Sequence, residues 1–221
     1  MTLLRAVGVL AAIAVLGLAS PSQAAPVTYA VTTIASGTLG GTPFTSALIT
    51  VSLAGDTSAV FQPLPADLPA LFANQGTATV TIAGLGTATF NDPGGYAAVA
   101  FPAIPGEIPL PSVGIWEGFD VAAESGTGIL GIGSNSLAGY NLKSQLGPQT
   151  GAAAGGATEP DGSFYEYATN RGALVISSTG DTGTVTVTIT PVPEPTSLSL
   201  LGLGLCSVSL LARHRRRKEH S

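Results

Sequence analysis

The stretch Gly76-Thr77-Ala78-Thr79-Val80-Thr81-Ile82 decides the fold class. Its three threonines fall on one side of an extended chain, and Ala78, Val80 and Ile82 fall on the other. Period-two alternation of this kind is the signature of a half-buried β-strand. The β-branched side chains suit a pleated surface and lose rotamer freedom in a helix. The pattern returns at Gly183-Thr184-Val185-Thr186-Val187-Thr188-Ile189, identical at six of seven positions. No longer period accompanies the pair, so these are two strands that meet the same packing problem, not units of a repeat.

The neighbouring segments extend the reading. Gly84-Leu85-Gly86 is a turn, and Thr87 to Phe90 forms the hairpin partner of the Gly76 strand. Val27 to Ala35, Phe44 to Leu53, Tyr96 to Phe101 and Val113 to Val121 are further β-rich runs. They are separated by glycine turns and by proline-spaced loops around residues 63–69 and 102–111. Late strands are expected at Phe164 to Ala168 and Ala173 to Ser177, with Gly147 to Gly162 a surface loop and Thr179 to Gly183 a hairpin turn. No capped helical pattern persists for ten residues in the body. Short strands, frequent glycine turns and threonine-rich faces predict an all-β domain over 25–190, an antiparallel β-sandwich or jelly roll.

Charge and residue types narrow the chemistry. Residues 25–191 carry eleven carboxylates against Lys143 and Arg171, a net of −9. An acidic body with two cations does not suit nucleic acid, whose phosphates require positive charge. Both histidines, His214 and His220, and the single cysteine, Cys206, lie at the C-terminal end. The body therefore has no Ser-His-Asp or Cys-His machinery, no His-ligated metal and no disulfide. Asp181-Thr182-Gly183 spells an aspartic-protease triplet, but no second copy exists to share a proton. Glu117, Asp120 and Glu124 lie near Trp116 and Phe119, a pairing used by sugar-binding and glycoside-cleaving clefts. Glu159, Asp161 and Glu166 surround a Pro-Asp-Gly turn without the spacing of a calcium loop. Gly131-x-Gly133 lacks the third glycine of a nucleotide loop. Solvated acids and turns account for these features more simply. The expectation is no catalytic residue, no metal and no cofactor.

The two ends read as addresses. Arg5, the apolar run Ala6 to Ala19, and Ser22-Gln23-Ala24 compose a signal peptide over 1–24, with cleavage expected between Ala24 and Ala25. At the other end, Pro191, Pro193 and Pro195 favour an extended stalk. An uncharged run from Ser197 to Ala212 follows, carrying Leu198, Leu201, Leu205 and Leu210. Its sixteen residues reach about 24 Å as a helix against a bilayer core of about 30 Å, and flanking arginine stems extend the span. Arg213, Arg215, Arg216 and Arg217 come next and hold that end in the cytoplasm.

Pro193-Glu194-Pro195, the leucine and glycine span, and the terminal arginines together resemble the PEP-CTERM sorting signal of Gram-negative bacteria, here over 191–221. The resemblance implies that the tripeptide is recognised by an exosortase, a membrane transpeptidase, and that the membrane tail is removed. The chain is then an exported protein, transiently anchored, released to the cell surface or extracellular matrix and associated there with exopolysaccharide. A structural or adhesive role is expected. The alternatives are a carbohydrate-binding or glycoside-hydrolysing domain built on surface carboxylates, and a permanently anchored envelope protein.

Overall fold

A computed structural model of the chain describes residues 24–62, 71–91, 95–103, 110–120, 125–156, 158 and 162–190. Ala24–Pro191 is one compact unit. Its strands are β1 Pro26–Leu39, β2 Thr42–Asp56, β3 Phe72–Ile82, β4 Gly86–Thr89, β5 Tyr96–Phe101, β6 Ser112–Asp120, β7 Ser125–Gly133, β8 Leu146–Gly155, β9 Glu166–Thr169 and β10 Gly172–Ile189. All ladders between them are antiparallel.

The all-β expectation holds, but the architecture is a closed barrel, not a sandwich or jelly roll. Hydrogen bonding runs β1-β2-β3-β5-β6-β7-β8-β10, and β10 returns to β1 from Val27↔Ile189 to Leu39↔Leu174. Eight strands thus form a ring in up-and-down order, and closure removes the free edges that a sandwich must protect. The Gly76 and Gly183 stretches lie in β3 and β10, with β1 and β2 between them around that ring.

Two strands branch. The first half of β3 pairs with β5 and its second half with β4. The first residues of β10 pair with β9 and its later ones with β8. β4 and β9 meet through the Phe90–Thr169 bridge, where Asn170 N–H donates to the Thr89 carbonyl at 2.8 Å. At that end the wall therefore runs β3-β4-β9-β10, and at the other end β5 to β8 replace the short pair.

The alternation predicted for β3 is observed: Ala78, Val80 and Ile82 are buried. Cross-strand register aligns Val185, Val31, Val51, Val80 and Ala88 in one row on the inside of β10-β1-β2-β3-β4. One residue along each strand, on the outside, the matching row is Thr184, Thr32, Thr50, Thr81 and Thr87, and Thr150 of β8 extends it. The interior is filled by aliphatic and tyrosine side chains. Each large aliphatic side chain moved from water to such a core contributes about 1.5–3 kcal/mol. In a membrane barrel the apolar positions point outward; in this one they point inward.

Two sequence expectations are corrected. Residues 147–162 contain the ring strand β8. Its glycines hide the β signal but are required by it: a Cβ on Gly151 would overlap the Gly133 carbonyl of β7. Thr179–Gly183 is not a hairpin turn either. β10 runs unbroken for 18 residues, and the irregularity is a bulge, with Thr33 opposite Gly183 and Ala35 opposite Thr179. Thr33 Oγ1 donates to the Thr182 carbonyl at 2.7 Å within it. Asp181-Thr182-Gly183 is thus bulged strand.

Candidate functional site

The β6–β7 hairpin and β9 enclose a notch of about 320 Å³ lined by Glu117, Gly118, Gly126, Thr127, Tyr165, Glu166 and Ala168. Glu117 ends the regular part of β6, and the register shifts beyond it. Gly118 follows with φ of 58°, a backbone state that glycine adopts without a Cβ penalty, and its N–H donates to the Gly95 carbonyl at 2.9 Å. This bulge turns the end of β6 and leaves the Glu117 side chain on the inner side, only 6% exposed. Tyr96 Oη donates to Glu117 Oε1 at 3.2 Å.

Aromatic rings floor the region. Phe90 packs on Tyr96 with centroids 5.2 Å apart and meets Tyr167 edge-on at 6.5 Å. Tyr165 stacks beside Tyr167 at 5.0 Å, and Tyr167 Oη donates to the Gly128 carbonyl at 2.8 Å. These contacts hold Tyr165 and Glu166 at the rim. The notch unites Glu117 with Glu166, residues from two clusters that are separate in sequence. The side chains of Asp120, Glu124, Glu159 and Asp161 lie outside the described residues. Two carboxylates and a phenol can accept and donate hydrogen bonds to a hydroxylated ligand. Among the described residues, no three His, Cys, Asp or Glu side chains converge as a metal site.

A second concavity, about 480 Å³, lies on the outer face of β6-β7-β8. Register pairs Gly114 with Gly131 and Gly131 with Ala154, and pairs Ser112 with Gly133 and Gly133 with Ala152. The floor therefore has almost no side chains. Trp116 forms one wall, its ring 5.2 Å from Phe101. Behind them Leu71, Ala73, Ala97 and Val99 form a small apolar cluster outside the barrel. Sequence reading singled out Trp116 and Gly131-x-Gly133 without seeing them as one groove, because the groove exists only once β8 is placed.

Ala24 and Ala25, the expected signal-cleavage pair, stand at the entrance to β1. Ala25 N donates to Thr57 Oγ1 at 3.1 Å, and its carbonyl accepts from Thr57 N–H at 3.0 Å. Residues 1–23 of the signal peptide, Pro193-Glu194-Pro195, the leucines Leu198, Leu201, Leu205 and Leu210, and the arginines Arg213, Arg215, Arg216 and Arg217 lie outside the described residues. Among the described residues no helix is long and apolar enough to cross a membrane.

The tail is where known proteins enter. A family model of the PEP-CTERM protein-sorting motif matches residues 191–218. The match spans the proline stalk, the apolar run and the arginine cluster. No curated protein matches the chain, and no solved structure does. The motif, and not the barrel, points to an extracellular protein sorted by an exosortase. The chain carries a PEP-CTERM protein-sorting motif at residues 191–218, and that motif implies export and envelope association in a Gram-negative bacterium.

Proposed function

We propose that the chain is a non-enzymatic component of the envelope or extracellular matrix, structural or adhesive, that works among exopolysaccharide. The observation that carries this reading is the sorting motif at 191–218 behind an independently packed barrel. The barrel interior is occupied by its own side chains. In this reading residues 1–24 direct export and are removed before Ala25. Residues 197–212 hold the protein in the inner membrane until an exosortase acts near Pro193-Glu194-Pro195. Changing that tripeptide to three alanines leaves export intact and keeps the protein in the inner membrane, as measured by fractionation and by the mass of the mature C-terminus. Surface protein that still carries Arg213 to Ser221 would instead identify a permanent anchor.

A second reading rests on the notch. Glu117 and Glu166 beside Tyr165 offer the carboxylates and aromatic surface of a sugar-binding or glycoside-hydrolysing site. If that reading holds, Glu117→Gln and Glu166→Gln each lower oligosaccharide binding or turnover at least tenfold while the protein stays folded. Equal behaviour of both variants and the parent leaves the non-enzymatic reading in place.

A further inference from the structure

The threonine row on the outside of the barrel is one of three. Beside it, register aligns Thr186, Ala30, Ser52, Thr79 and Thr89, and then Thr188, Thr28, Ala54 and Thr77. The three rows together hold twelve threonines, one serine and two alanines, and no charged residue. The chain has 25 threonines in all, so about half are gathered on this face. We propose that this face is a contact surface for a neutral polysaccharide.

Four physical features support it. First, the hydroxyls form a lattice. Neighbouring strands set them about 4.8 Å apart, and residues i and i+2 of one strand set them about 6.7 Å apart. A repeating surface is complementary to a repeating polymer, because each added contact comes at the same spacing. Secondly, each threonine presents a donor, two acceptor lone pairs and a methyl group. That combination matches a sugar chain, which offers hydroxyls at its edges and C–H groups on its faces.

Thirdly, the side chains are already ordered. Branching at Cβ restricts χ1. Thr32 Oγ1 lies 2.9 Å from Thr50 Oγ1, and Thr81 Oγ1 lies 2.9 Å from Thr87 Oγ1. Little rotamer freedom remains to be lost on binding. Finally, the absence of formal charge selects the partner. Polyanions and anionic membranes need cations, and protein partners are gripped through buried aromatic and arginine anchors. This face has neither. The twist of the sheet also curves the lattice, which favours a flexible chain that follows the wall over a flat crystalline plane.

The proposal rests on the matrix location argued above, and its test is independent of sorting. The full chain, purified in neutral detergent, is run on native gels cast with dextran, with a soluble neutral β-glucan, or with alginate. The expected result is retardation by at least one neutral polymer and none by alginate. Replacing Thr50, Thr79 and Thr186 together by valine keeps the β-branched shape and removes three hydroxyls. This weakens binding about tenfold, with unchanged circular dichroism and unchanged arrival at the cell surface. As a second variant, Thr79→Lys alone reduces neutral-polymer binding. No retardation by either neutral polymer, equal retardation by alginate, or undiminished binding by the valine variant overturns the proposal. So does inhibition of ice recrystallisation without polymer binding, which would assign the lattice to ordered water. Failure of any of these leaves processing at Pro193-Glu194-Pro195 unaffected and so does not bear on the sorting reading.

Discussion

Tyr29 links three parts of the barrel interior. Its hydroxyl donates to the Leu142 carbonyl at 2.8 Å and accepts from Asn74 Nδ2 at 2.8 Å, and the same amide nitrogen reaches the Asp56 carbonyl at 3.0 Å. Leu142 is fully buried with φ of 62°, a left-handed conformation that costs an ordinary side chain about 1–2 kcal/mol. The buried side chain and the carbonyl bond to Tyr29 hold it there. Burial is the first cause that raises the Tyr29 pKa from 10.0 to about 12; the Asn74 hydrogen bond acts against it and the Asp56 charge adds to it. Burial, with Tyr29 as a smaller cause, also raises that of Tyr140. Folding therefore favours the neutral phenols. The contribution of Tyr29 is complete below pH 10 and is lost as pH rises from about 10 to about 12. Tyr29→Phe should lower stability at pH 7 by about 1–3 kcal/mol, because a buried carbonyl and amide lose a partner, and should make the alkaline loss shallower. Urea titrations at pH 7 and pH 11 test both, and a variant as stable as the parent at pH 7 contradicts the network's importance.

At the scale of elements, glycines decide where strands lie close together. Gly76 sits where β3 leaves β2, and a Cβ there would overlap the Ala54 carbonyl. Gly183 occupies the matching place in β10, against Ile132 and the Thr32 carbonyl. The glycine that opens each threonine stretch thus stands where a Cβ would meet a neighbouring strand. Gly76→Ala should cost about 1–3 kcal/mol by overpacking and lower the melting temperature by several degrees. Gly41→Ala, which meets open space but has φ of 78°, tests strain without overlap. A Gly76→Ala melting temperature within one degree of the parent would show that the strands separate freely there. The threonine triplets themselves were legible in sequence, as one face of a half-buried strand. β8 was not, since Gly147, Pro148, Gly151 and Gly155 disfavour an isolated strand, and Leu146–Gly155 becomes one because β7 and β10 each present an unpaired edge. The notch was half legible: Glu117 stood out beside Trp116, but its meeting with Glu166 depends on a bulge and a distant strand.

For the whole molecule, closure is the governing fact. β1 and β10 pair along their full length although their residues are more than 130 positions apart. The barrel is thus completed by the last strand of the body, a non-local contact that opposes chain entropy until it forms. A chain ending at Thr190 should melt cooperatively, since Thr190 N–H still donates to the Pro26 carbonyl at 2.9 Å. A chain ending at Arg171 loses β10 and exposes the edges of β1 and β8, so it should aggregate. Circular dichroism melts and sedimentation separate the outcomes; a soluble, folded product ending at Arg171 would refute the closing role of β10.

Alternation and composition by themselves determined that the body is all-β, that its clearest strands have a threonine face and an aliphatic face, that histidine and cysteine chemistry is absent from it, and that residues 191–221 carry an address. These are local properties, set by side-chain period and residue type within a few positions. Only the tertiary structure decided between barrel and sandwich, converted a glycine-rich loop into β8, dissolved the supposed turn at Thr179–Gly183 into a bulge, and aligned threonines from six strands into rows. Each of those depends on which distant strand supplies the neighbour, and inward–outward alternation is the same whichever neighbour arrives.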